Sequence, residues 1–226
     1  MPFDHNAKRL KTADFPPSYY TTDAFSAHAA RLICQAATSD RPFFISLCYN
    51  APHSPLHALP EDIARYPGKY RDGYFRLRER RFKRQLELGL FDPAVTALSA
   101  ADPKTNAFKH DYAIPAWDRL DASQRSREEE RMEVYAAMVD RLDQGIGTVL
   151  AALEESGLAR NTVVFFMSDN GGAAAGVDPQ DEVPRNARPI GPAEGNEKVG
   201  PGWGRHSARR FGATRAGFMK EAFARR

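Results

Sequence analysis

Apolar positions recur along this chain in two patterns, one with helical spacing and one in short unbroken runs. Behind Thr21-Thr22-Asp23, whose side chains suit a helix N-cap, Phe25, Ala29, Leu32 and Ile33 share one helical face and predict a helix over 21–37. Phe43–Tyr49 (FFISLCY) is a short apolar run that predicts a buried strand, and NAPHSPLHALP after it is too rich in Pro, His and Asn to be anything but a loop. Residues 69–90 favour a charged helix with Phe82 and Leu86 turned inward, and 91–122 read as irregular around Pro93, Pro103 and Pro115. Ser126-Arg127-Glu128-Glu129 has the form of a capping box. Tyr135, Met138, Val139, Leu142, Ile146, Val149, Leu150 and Leu153 then come at spacings of a long helix, which Gly157 ends. A second apolar run, Thr162–Met167, predicts another buried strand. Beyond Gly172 the periodicity is lost: residues 173–204 are rich in Ala, Gly and Pro, and 205–226 in Arg. Helices alternating with buried strands predict an α/β fold with a mostly parallel sheet and a disordered C-terminal tail.

Charge changes this picture only at the end of the chain. The net charge is +3, but residues 205–226 alone carry seven Lys or Arg against Glu221, so the remainder is net acidic. The basic character therefore belongs to a tail and does not indicate a nucleic-acid-binding domain. The RERRFKR stretch at 78–84 reads as a solvated helix face. Of the two cysteines, Cys48 lies in an apolar run and reads as a small core residue, and nothing pairs it with Cys34. No apolar run is long enough to cross a membrane, and MPFDHNAKRL has no signal-peptide core. As written, the chain is expected in the cytoplasm.

Candidate chemistry lies at the carboxyl ends of the two apolar runs, where open parallel sheets bind ligands. The second run ends in Ser168-Asp169-Asn170-Gly171-Gly172. A carboxylate beside an amide carbonyl supplies hard oxygen donors for Ca²⁺ or Mg²⁺, and the glycines allow close backbone approach. The same residues would also serve as a polar turn. The first run ends in Asn50-Ala51-Pro52-His53-Ser54-Pro55, where two prolines pin His53 so that it could donate to an anion or act as acid or base. Asp140 and Asp143 flank the long helix's apolar stripe and read as surface or packing residues. His5, His28, His57, His110 and His206 show no metal-ligand spacing.

Taken together, PFFISLCYNAPHSPLHA, KYRDGYFRLRERRFKRQLELGL, MEVYAAMVDRLDQGIGTVLAALEESG and NTVVFFMSDNGG resemble, in this order, segments of the arylsulfatases of the sulfatase family. The resemblance implies an alkaline phosphatase-like parallel sheet flanked by helices, and hydrolysis of small sulfate esters. It implies Asp169 and Asn170 as two ligands of a divalent cation, usually calcium, and His53 as a hydrogen-bond donor to the sulfate ester. The family's nucleophile is a formylglycine made within a C/S-x-P-x-R motif, and its hydrate attacks sulfur beside the metal.

That motif is absent here: Cys34 is followed by QAAT and Cys48 by YNAP. Only 52 residues precede His53, so the family's earlier aspartate ligands are also missing. The expectation is therefore the central part of a sulfatase domain over 1–172, a sulfatase-like loop region over 173–204, and an inactive chain with an incomplete metal site. A separately encoded N-terminal piece would be its partner, and the parent protein would be periplasmic or cytoplasmic. At the other end, shifting the reading frame turns 213–223 into DKGRLHEGGI with permitted codons. That string resembles the family's lysine and EGG segment, so the basic tail 205–226 is expected to be out of frame and Met1 internal to a longer gene. The other readings are a related phosphoester hydrolase with a Thr or Ser nucleophile and a non-catalytic module or pseudogene product.

Overall fold

A computed structural model describes residues 3–5, 8–11, 14–98, 104–107, 110–113, 115–169 and 189–207. The described elements are mostly helical: α1 (Thr21–Ala36), α2 (Pro60–Ile63), α3 (Gly73–Glu87), α4 (Ala122–Glu155) and α5 (Gly200–Ser207). Strands β1 (Phe3–His5) and β2 (Lys8–Leu10) pair antiparallel, as do β3 (Lys104–Ala107) and β4 (His110–Ala113). The chain divides into two compact units, one of residues 1–51 and 140–164, the other of residues 52–139 and 165–226.

In the first unit, α1 buries Thr22, Ser26, Ala29 and Ile33 at helical spacing. Ile33 joins Ala152 and Leu153 of α4 in a core that also takes Ile45, Val149 and Leu158. The small residues on α1 allow close approach, and a side chain at Gly145 would run into Ser26 Oγ. Arg141 clamps Asp23 with two hydrogen bonds of 2.8 and 2.6 Å. In the second unit, the first turn of α4 is capped at Asp121, ahead of the Ser126 that the sequence suggests. Gln124 N–H donates to Asp121 Oδ1 (2.8 Å), and Asp121 N–H donates back to Gln124 Oε1 (2.9 Å). Asp121 through Gln124 is thus the capping box, and Ser126 and Glu129 lie inside the helix. Gly157 does end α4: its φ is 70°, Leu158 N–H reaches Leu153 O at 3.0 Å, and Gly157 N–H reaches Glu154 O at 3.0 Å.

The second unit is built on an aromatic cluster. Tyr74 on α3, Trp117 and Trp203 on α5 meet edge to face, with centroids 5.5 to 5.7 Å apart. Both indole N–H groups are satisfied, Trp203 by Glu128 O at 2.9 Å and Trp117 by Arg71 O at 3.0 Å. Burial pushes the Tyr74 phenol well above its usual range, with Glu128 and Asp118 adding to the effect. Close packing explains Gly202: a Cβ there would sit 2.7 Å from the Tyr74 ring.

Several sequence expectations change here. Phe43–Tyr49 and Thr162–Met167 belong to no strand, and no parallel sheet forms among the described residues. A strand needs a neighbour for its backbone N–H and C=O groups, and the described residues set none beside either run. Val163 to Met167 are exposed rather than buried. Cys48 is exposed too, like Cys34, and both are free thiols. The region 91–122 contains the β3–β4 hairpin, and the C-terminal region that lacks periodicity contains α5. The basic tail from 208 onward lies outside the described residues.

Candidate functional site

His53 stands exposed in the loop between Tyr49 and α2. Its Nδ1 lies 2.6 Å from the Ser54 carbonyl oxygen, which can only accept, so Nδ1 carries a proton. Nε2 is then the ring atom left for a ligand. The neutral ring offers it as an acceptor, and only the imidazolium donates from it to an anion.

The segment 189–199 anchors the loop on the C-terminal side of His53. Leu56 N–H donates to Glu197 O (2.9 Å), Ala58 N–H to Gly191 O (2.9 Å), and Gly191 N–H to Leu56 O (3.2 Å). His57 and Gly191 form an isolated parallel bridge, and His57 Nε2 donates to Gly195 O at 2.7 Å. His57 therefore has a structural partner. Leu56 is completely buried, so the loop is fixed by both backbone pairing and apolar packing.

An ion cluster holds this segment in turn. Glu197 accepts from Arg127 Nη2 at 2.5 Å and from Arg131 Nη2 and Nε at 3.0 and 3.2 Å, while Arg131 also binds Glu128. Burial pushes the Glu197 carboxyl up, but Arg131 and Arg127 outweigh it and hold the group below its ordinary range. Glu128 goes the other way, because burial outweighs the pull of Arg131. The charges cluster and compensate each other, which is the condition for burying them. Sequence reading missed this network. Arg127 and Arg131 stand four apart on α4, but nothing local assigns them a glutamate 66 residues away from Arg131.

Asp169 is exposed at the end of the run 162–168, and Asn170 lies outside the described residues. Asp140 accepts from Gln144 on the α4 surface at 2.9 Å, and Asp143 is exposed. Among the described residues no three His, Cys, Asp or Glu side chains group so as to hold a metal ion. Calcium takes six to eight oxygens, and a lone exposed carboxylate does not supply them. The described donor set therefore does not by itself fit the family's cation. No described helix is long and apolar enough to cross a membrane.

The sulfatase family profile matches residues 3–199. The chain is 30% identical over 156 residues to an arylsulfatase of Klebsiella aerogenes, covering 69% of this chain and 31% of that protein. It is 36% identical over 172 residues to an uncharacterized sulfatase of Schizosaccharomyces pombe, covering 75% of this chain and 27% of that protein. Among solved structures it is similar to the crystal structure of Ps i-CgsB in complex with k-i-k-neocarrahexaose, with 23% identity, a TM-score of 0.37, and coverage of 70% of this chain and 21% of that one. The chain thus spans less than a third of the length of these relatives. The match covers residues 3–199, most of the chain, and the chain belongs to the sulfatase family.

Proposed function

We propose that this chain forms part of a sulfuric ester hydrolase of arylsulfatase type, and that alone it binds the anionic group without turning it over. The observation that carries this reading is His53, exposed on a loop that the 189–199 segment pins by backbone hydrogen bonds. With Nδ1 committed to Ser54 O, the imidazolium can donate from Nε2 to a sulfate oxygen. Asp169 and Asn170 would be two ligands of Ca²⁺, or of Mg²⁺, when further donors complete the site. The bound cation would offset charge on the sulfate oxygens. The C/S-x-P-x-R motif that generates the family's formylglycine nucleophile is absent from these 226 residues, so the hydrolytic step has no nucleophile within them.

Two assays test the reading. An aryl sulfate incubated with the purified chain should show no turnover above buffer, and turnover that His53→Ala abolishes would overturn the inactive part. Inorganic sulfate should bind weakly, and His53→Ala should weaken it further. Sulfate binding unchanged by the substitution would overturn the role of His53. A second reading is a non-catalytic anion-binding module, which needs only the exposed His53 on its pinned loop. It predicts sulfate binding that calcium does not strengthen.

A further inference from the structure

Glu197 is held at both ends. Its main-chain carbonyl oxygen accepts from the N–H of Leu56, which follows His53 closely in the same loop, at 2.9 Å. Its carboxylate accepts from Arg127 and Arg131 on α4. One residue therefore ties the loop of His53 to that helix, and all of these groups belong to the second unit. The loop's other bonds run through the same segment: Ala58 N–H donates to Gly191 O, and His57 Nε2 to Gly195 O. By contrast, the bond from His53 Nδ1 to Ser54 O is local. It orients the ring on its own backbone and does not fix that backbone in the fold.

We propose that Glu197 is a positioning residue: through its main-chain bond to Leu56 it fixes His53 for an anion, and Arg127 and Arg131 act on that anion only by holding Glu197. This deepens the reading of His53 as an anion donor and rests on it. Arginines are common anion ligands, but the bonding of these two points elsewhere. Arg131 presents Nη2 and Nε to Glu197 and Nη1 to Glu128, so each of its side-chain nitrogens faces a carboxylate. Arg127 presents Nη2 to Glu197 and Nη1 to Glu130 at 3.6 Å. The side chains of Arg127, Arg131 and Glu197 are only 14% to 16% exposed, whereas His53 is exposed. To reach an anion, either guanidinium would have to leave a partly buried carboxylate uncompensated, which is costly. Holding the loop by way of Glu197 requires no such break. A donor whose backbone is already ordered binds better than a free one, because the ordering cost falls on folding and not on binding.

Glu197→Gln separates the two roles of the arginines by sign. The substitution removes a negative charge and loosens both guanidinium groups, so Coulomb attraction alone would tighten the binding of inorganic sulfate. Positioning has the opposite effect. In the full chain, with circular dichroism matching the wild type, the dissociation constant for sulfate should rise at least about threefold. The Leu56 amide should exchange with solvent about tenfold faster. The His53 ring signals in the NMR spectrum, assigned with His53→Ala, should shift or broaden in the absence of sulfate. Sulfate binding that tightens overturns the inference and makes the arginines ligands of the anion. Binding that stays as in the wild type, or ring signals that do not move, overturns it and leaves Glu197 a structural residue. If Glu197→Gln does not fold, Arg127→Met takes its place, since it leaves the Arg131 contacts intact, and unmoved His53 ring signals in that variant overturn the inference. Failure of the anion reading looks different: His53→Ala then leaves sulfate binding unchanged. In that case the ring signals alone decide, for the positioning role if Glu197→Gln moves them and against it if they stay.

Discussion

The segments 162–167 and 189–207 exchange the roles their sequences suggest. The first is an unbroken apolar run, the composition of a fully buried strand, and it is exposed. The second is short of large aliphatics and rich in Gly and Pro, yet it places Trp203 and Gly202 in the centre of the second unit and pairs with the loop after His53. Composition states what a segment would gain by being covered. Whether it is covered depends on what the rest of the fold brings beside it. An aromatic ring with a satisfied N–H can anchor a segment without any periodic pattern, whereas burying five apolar residues in a row also buries backbone groups that need a neighbouring strand.

The largest expected effect tests the anchored segment. Trp203→Ala empties a completely buried site and removes the donor to Glu128 O, at a cost of about 3–5 kcal/mol in the urea unfolding of the second unit. The amides of Leu56 and Ala58 should lose their exchange protection with it. If they stay protected, the loop does not depend on α5.

The ion cluster is next. Glu197→Gln leaves the positive charge of Arg127 and Arg131 poorly compensated and should cost about 2–4 kcal/mol at neutral pH. The carboxyl is held below its ordinary range, so its contribution is complete above about pH 4.3 and is lost as pH falls through the depressed value. The gap between wild type and variant should therefore close in acid. A gap that widens in acid would reverse the sign of the argument.

Gly157→Ala tests a local term. Nothing lies within 4 Å of the added methyl, so only the positive φ of 70° opposes it, and the loss should be about 1 kcal/mol, read from thermal unfolding. The smallest effect belongs to the exposed run. Phe165→Ser alters a side chain that is 81% exposed and should change stability by less than about 0.5 kcal/mol, while raising the concentration at which the chain stays in solution. A large loss of stability would show that the run is covered in solution.

Much of the helical frame is legible in the sequence, because helices satisfy their own backbone. The apolar spacing of α1 and α4 and the stop at Gly157 come from local chemistry. The start of α4 is ambiguous in the sequence because cap-like patterns begin at both Asp121 and Ser126, and the one at Asp121 is used. At the candidate site, the chemistry of His53, Asp169 and Asn170 can be named from residue types and from likeness to the family. The anchoring of the His53 loop cannot, since it depends on backbone partners 133 to 141 residues further along the chain.

The sequence by itself determined the helices α1, α3 and α4, which apolar runs call for cover, and membership of the sulfatase family. Those properties reside in nearby residues or in residue identity. Tertiary structure alone decided that Glu197 meets Arg127 and Arg131, that Trp203 closes the aromatic cluster, and that Val163 to Met167 remain exposed. Each of these depends on a partner distant in the chain, and a strand acquires its structure only from the neighbour that completes its hydrogen bonds.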